Sequence, residues 1–222
     1  GDVRLRVTGS TLYRVFVNGQ WVACGPARTA HGWFRVDEWP IGSLLTPGTN
    51  VVAIEVAGYN VNSFAYLDQP SFLQAEICAG DELLAATEAQ GTANRFSAMR
   101  LDSRIQKVPR YSYQRAFMEA WRLAPGWDRW RRDPAAPWSA QPLRSQPAGR
   151  LMPRDVPPPE CGIVRPVRVH GVGTLNRRTV EKPWKDRSLT IIGPQFKGFP
   201  EGELETCPPV EYQSYVAGSW SP

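Results

Sequence analysis

Asn18-Gly19 constrains this chain more than any other feature. It is set between Leu12-Tyr13-Arg14-Val15-Phe16-Val17 and Gln20-Trp21-Val22-Ala23-Cys24. An Asn-Gly pair tolerates positive φ at two successive residues, which a tight type I′ turn requires, and the twist of that turn suits two antiparallel strands. A two-residue loop sets Phe16 across from Trp21 and Val15 across from Val22. Gly25-Pro26-Ala27-Arg28 follows and ends the second strand, because proline has no amide to give to a ladder.

The rest of the chain continues in the same style. Val3 to Val7 alternates with charged neighbours and reads as a strand. Thr29 to Phe34 is a loop feeding Arg35-Val36-Asp37-Glu38-Trp39, and Ile41 to Leu45 leads to Thr46-Pro47-Gly48-Thr49-Asn50, a strong turn signal. Val51 to Val56 is almost continuously apolar, as in a strand covered on both faces. Phe72 to Ile77, Asp81 to Ala86, Ile163 to Val169 and Leu189 to Ile192 are further strand candidates. Tyr111, Tyr113, Phe117 and Trp121 share one side of a period-2 element, so Tyr111 to Trp121 reads as a strand, although Ala116, Met118 and Ala120 also suit a helix. Residues 126–160 are rich in Pro, Trp and Arg and read as an irregular connector.

Roughly eight to eleven short strands with frequent turns point to an all-β fold, a two-sheet antiparallel β-sandwich of the jelly-roll, galactose-binding-like kind. An open sandwich with Ig-like connectivity is the alternative. The expected division is a main sandwich over 1–125, the connector over 126–160, and further strands over 161–222 that complete the sandwich and lead as a linker towards a further domain. Whether residues 160–222 start a second domain stays open.

With 222 residues the chain can build one large β domain, or one domain and part of another. No stretch is long and apolar enough to span a membrane as a helix. No leader is legible at Gly1, and the ends read as those of a fragment or a processed product. The net charge of +5 is spread over scattered arginines, which describes a solvated basic surface or one facing a polyanion. Cys24, Cys78, Cys161 and Cys207 are far apart with no CxxC pair, which argues against zinc and leaves both disulfides and buried thiols open. Periplasmic, secreted and cytoplasmic settings are all compatible with this.

Seven strings, taken in order, resemble the N-terminal β-sandwich region of bacterial α-L-rhamnosidases of glycoside hydrolase family 78. They are Tyr13-Arg14-Val15-Phe16-Val17-Asn18-Gly19; Gly25-Pro26-Ala27-Arg28; Asp37-Glu38-Trp39; and Pro47-Gly48-Thr49-Asn50 with Val51 to Val56 behind it. Asp68-Gln69-Pro70-Ser71-Phe72-Leu73-Gln74-Ala75-Glu76, Tyr113-Gln114-Arg115-Ala116-Phe117-Met118-Glu119 and Pro153-Arg154-Asp155-Val156-Pro157 complete the set. The resemblance implies a multidomain inverting glycosidase in which β-sandwiches precede an (α/α)6 barrel carrying the acid and the base. Inversion needs those two carboxyl groups spaced to admit a water. This chain has no run of amphipathic helices to form such a barrel, so the resemblance transfers a fold and a setting but no catalytic residue.

The residues themselves agree with that restraint. Asp37 and Glu38 are adjacent, so on a strand they point to opposite faces and cannot converge on one bond. Glu201, Glu203 and Glu205 read as a solvated face. His31, in a Gly-flanked loop near Trp33, and His170, at a strand end, are the only histidines, and neither has an evident nucleophile beside it. Gly171-Val172-Gly173 lacks the third glycine and the helix of a dinucleotide loop.

Sugars are held by flat aromatic rings below and by amide or guanidinium forks at the rim. Tyr59, Asn60, Asn62 and Asp68 have that chemistry on a loop, and Trp33 and Arg28 join them if the His31 loop lies near; otherwise these aromatics close one end of the sandwich. No cofactor is expected. Asp68 with neighbouring amide oxygens offers calcium-type ligands, but no dense Asp pattern accompanies them. Trp127-Asp128-Arg129-Trp130-Arg131-Arg132 interleaves aromatic and basic residues. Trp127, Trp130 and Arg131 suit a docking surface for a further domain or a self-packed connector better than a nucleic-acid interface. Arg28, if half-buried, needs a carboxylate, with Asp37, Glu38 or Glu55 at hand.

The expected function is therefore a non-catalytic accessory module that braces a catalytic barrel of the same polypeptide and touches glycan. A stand-alone carbohydrate-binding module and a protein-interaction scaffold are the alternatives. Neither nucleic acid nor membrane is an expected partner.

Overall fold

The structure, a computed structural model, describes residues 2–64, 66–88, 94–105, 119, 121, 123–136, 139–147, 149–162 and 164–168. The chain divides into two compact units. The first comprises Gly1–Val61, Tyr66–Leu101 and Leu123–Pro158, and the second Asn62–Ala65, Asp102–Arg122 and Pro159–Pro222.

The first unit is all β. Its strands are β1 (Val3–Ser10), β2 (Leu12–Val17), β3 (Gln20–Gly25), β4 (Trp33–Pro40), β5 (Val52–Ala57), β6 (Phe72–Ala79), β7 (Glu82–Ala86), β8 (Asn94–Arg95) and β9 (Arg150–Pro153), with 3-10 turns at Gly42–Leu44 and Arg129–Arg131. One sheet runs β8-β7-β6-β1-β4-β9 and the other β3-β2-β5. Both are mainly antiparallel, as expected, but β4 with β9 and β7 with β8 run parallel.

Alternation explains how the sheets face each other. Leu5 and Val7 of β1 and Ala75 and Ile77 of β6 meet Tyr13, Val15 and Val17 of β2 in one core, which Ile41 closes. Val52, Ile54 and Val56 of β5 pack on that core, while Ala53 and Glu55 are buried on the opposite side. β5 is therefore covered on both faces although it is the end strand of its sheet, and its near-continuous apolar run has that cause. Burying side chains of the Leu and Val class stabilises by about 1.5–3 kcal/mol each before entropy is counted.

The hairpin forms as expected at its turn: Asn18 has φ 50° and Gly19 φ 83°. Its register departs in one place. Phe16 faces Trp21, but Val15 faces Ala23 rather than Val22, because a β-bulge falls between Val15 and Phe16. Val22 is the extra residue and packs against the core. Asn18 also ties the turn to the β5 entry. Its Oδ1 accepts from the Val51 amide at 2.9 Å, and its Nδ2 donates to Leu44 O at 3.1 Å and Asn50 Oδ1 at 2.8 Å.

Residues 126–160 are not wholly irregular. Those up to Pro158 belong to the first unit and supply β9, which pairs Trp33 with Arg150 through Val36 with Pro153. The strand expected over 163–169 is absent from the described residues 164–168, where Pro166 removes a ladder donor and Val164 and Val167 are exposed. Most of the Tyr111–Trp121 candidate, Leu189–Ile192, His170, Cys207 and the Glu201–Glu205 face lie outside the described residues. In the second unit Trp121 forms a single bridge with Arg104, whose guanidinium lies 5.6 Å from its ring centre and 3.3 Å from Glu119. Cys78 and Cys161 carry free thiols.

Candidate functional site

The residues with sugar-binding chemistry lie at the ends of several strands and on the loop that follows β5. Tyr59 stacks on Tyr66, with ring centres 4.9 Å apart and planes at 15°. The Asn60 amide is turned inward onto its own loop: Nδ2 donates to Gln69 O, and Oδ1 accepts from Ser71 Oγ at 3.2 Å. Gln69 in turn donates to Ser10 Oγ at 2.8 Å, pinning the loop to the end of β1. Asn62 belongs to the second unit, and Asp68 is exposed. Trp33 is 39% exposed at the start of β4, with the Arg150 guanidinium 5.3 Å from its ring centre. His31 is exposed beside it.

Arg28 is exposed, so the half-buried position in which it would need a carboxylate is not the one it takes. Each acid named for it is held by other arginines. Glu38 takes Arg4 and Arg6, Glu55 takes Arg14 at 2.8 Å and Arg131 at 3.3 Å, and Asp37 takes Arg154 at 2.9 Å.

Sequence reasoning did not find the groove over the outer side of β4. It has a volume of about 660 Å³. Val36, Glu38 and Trp39 of β4 and Arg6 of β1 form one side, and Leu151, Met152, Pro153, Arg154, Val156 and Pro158 the other. Its walls are mainly aliphatic, and its charged rim is the Arg6–Glu38 pair. Arg4 and Arg6 hold the Glu38 carboxyl below the ordinary carboxylate range. Glu38 is thus ionised near neutrality and unsuited to the proton donation that a glycosidase acid performs. Among the described residues no group of three or more His, Cys, Asp and Glu side chains is placed to hold a metal ion.

Beneath the groove lies a buried polar network. Asp37 points inward, as alternation with Glu38 requires, and is fully buried. It accepts from the Tyr13 hydroxyl and from Arg154 Nη1, while Trp39 Nε1 donates to the Tyr13 oxygen at 3.0 Å. Burial, and the hydrogen bond to Asp37, push the Tyr13 hydroxyl well above its ordinary range. Gly25 makes the close approach possible, since a Cβ there would lie 2.1 Å from Asp37 Oδ2 and 2.6 Å from the Tyr13 hydroxyl. Tyr13, Gly25, Asp37 with Trp39, and Arg154 come from four of the seven strings quoted above.

Trp127, Trp130 and Arg131 lie on their own unit. The Arg131 guanidinium is 4.3 Å from the centre of Phe16, 4.8 Å from Trp127 and 5.1 Å from Trp130. Phe16 and Trp130 meet edge to face at 6.2 Å. These residues cover the outer side of β2 and β5, the arrangement of a self-packed connector.

Comparison with known proteins agrees with the strings. No family model matches the chain, and no curated protein matches it. Among solved structures it is similar to the crystal structure of the GH78 family rhamnosidase of Bacillus sp. GL1, with 32% identity and a TM-score of 0.52. The match covers 71% of this chain and 17% of that one, so the chain spans less than a fifth of the rhamnosidase's length. The resemblance to glycoside hydrolase family 78 is borne out, and with it the β-sandwich.

Proposed function

We propose that this chain, alike in sequence and fold to part of a family 78 rhamnosidase, is a non-catalytic accessory β-sandwich module of an α-L-rhamnosidase-like glycoside hydrolase, and that it braces the catalytic domain of that polypeptide. The observation that carries this reading is the alignment at 32% identity with only 17% of the rhamnosidase. The engagement of Asp37, Glu38 and Glu55 by arginines supports it, since an inverting acid and base must both be open to the sugar and to water. The test is an assay of the 222-residue chain on an aryl α-L-rhamnoside, alone and joined to a catalytic barrel. Product is expected only from the joined form, and enzymatic release by the chain alone would overturn the reading.

Carbohydrate contact is the second reading. The β4 groove, at about 660 Å³, falls within the size range of small-molecule sites and has aliphatic walls with a charged rim. Calorimetric titration with L-rhamnose, with and without calcium, tests it. Heat that saturates at millimolar sugar supports binding, and its absence leaves the brace.

A further inference from the structure

We infer that residues 150–158 form a detachable strap, locked onto the sandwich by Arg154 on buried Asp37, and that this lock makes or unmakes the β4 groove. The strap has other holds at its N-terminal end, where the Arg150 guanidinium lies 5.3 Å from the Trp33 ring centre and Thr29 Oγ1 donates to Met152 Sδ at 3.5 Å. Its ladder is the four parallel pairs between β4 and β9, extended by Arg150 N to Gly32 O at 3.3 Å and Arg154 N to Val36 O at 3.0 Å. Leu151 is exposed, and none of the nine residues belongs to the hydrophobic core. Beside these attachments stands one buried anchor. Arg154 is 12% exposed and reaches a carboxylate that is not exposed at all. The same guanidinium closes the turn behind it, with Nε donating to Val156 O at 2.8 Å and Nη2 to Pro157 O at 3.1 Å. Arg35, itself largely buried, pairs with Asp155 next door. Arg154 therefore both shapes the strap and ties it to the interior, with the Arg35–Asp155 pair beside it.

Six of the ten groove residues, Leu151 to Arg154 with Val156 and Pro158, come from the strap. When the strap leaves, the groove loses one wall and β4 becomes an open edge. The Asp37–Tyr13–Trp39 cluster sits on the far side of the lock, in β4, which β1 holds, and β2, which β3 and β5 hold. Opening is therefore local, in the manner of sub-global units that exchange below the global unfolding free energy.

Hydrogen exchange read by mass spectrometry on the full chain tests this. In Arg154→Gln, exchange over 150–158 is expected to rise at least about a hundredfold, the scale for breaking a buried charge pair, with β1 and β6 unchanged. Arg154→Lys is expected to restore part of the protection. Unchanged protection over 150–158, or equal loss across β1 and β6, would overturn the proposal. If the glutamine variant does not fold, the wild-type chain in rising sub-denaturing urea decides. The strap amides are expected to open before those of β1, and their opening only together with β1 would equally defeat the inference.

Discussion

The Arg131 guanidinium lies over the Phe16 ring at 4.3 Å while facing Glu55 at 3.3 Å, so one side chain joins an aromatic face to a buried carboxylate. Burial pulls the Arg131 pKa down, against the pull of Glu55, yet the group stays charged at any physiological pH. Arg131→Ala is expected to cost about 1–3 kcal/mol in urea unfolding, with Arg131→Lys intermediate because an ammonium keeps the charge but not the planar stack. A double-mutant cycle with Glu55→Gln should show coupling above about 0.5 kcal/mol.

Gly25 and Gly58 are both crowded, yet they differ in what surrounds them. A Cβ at Gly25 meets the rigid Asp37–Tyr13 pair, whereas one at Gly58 would lie 2.5 Å from the Cβ of Ser71, which no change of rotamer moves. Gly25→Ala and Gly58→Ala are each expected to cost more than about 2 kcal/mol by the same unfolding measurement.

Tyr13→Phe removes the hydroxyl that serves both Asp37 and Trp39. A loss of about 1–3 kcal/mol is expected, as for any buried group left without its partner. The alkaline limb carries a sign as well. The Tyr13 pKa is raised in the folded chain above its ordinary 10.0, so the unfolded chain loses this proton first. Stability from this group is intact below that value and falls as pH climbs through the interval above it. Tyr13→Phe should flatten that limb in a pH series of unfolding curves.

Glu38 governs the opposite limb. Hydrogen bonds from Arg4 and then Arg6 lower its pKa from 4.5, so its contribution is present above that pH and is lost as pH falls through the folded value. Glu38→Gln should make the acid loss of stability shallower. The difference between the two proteins should shrink in high salt, because these side chains are half exposed.

Asn18 separates turn preference from bridging. Asn18→Gly keeps a residue at ease with positive φ but removes the bonds to Val51, Leu44 and Asn50. A loss of about 1–3 kcal/mol is expected, whereas a turn-only role would leave thermal unfolding unmoved.

What the sequence reveals is local. The Asn18-Gly19 hairpin, the Pro47–Asn50 turn and the strands around them follow from neighbouring residues, and the structure keeps them. The Tyr13–Asp37–Arg154 cluster is harder to read because its last pair is separated by 117 positions, and nothing near Arg154 names its acceptor. One signal does exist: Asp37 falls in the inward phase of β4, where a carboxylate demands a partner. β9 escapes notice because four residues ending in Pro153 carry no period. Asn60 shows a different limit, since an amide turned onto Gln69 and one turned to a ligand have the same letter. Trp127 to Arg131 show aromatic and basic alternation plainly, but not that Phe16 and Glu55 receive it.

β1 is the first strand in the chain and also an inner strand of the larger sheet, with Pro40 opposite Arg4 on one side and Cys78 on the other. Synthesis must therefore run from β1 through β6 before this strand can find both neighbours. Until then Leu5 and Val7 have at most the β4 side of their ladder, a topology of distant contacts that slows folding and gives the emerging polypeptide a long interval in which to meet chaperones.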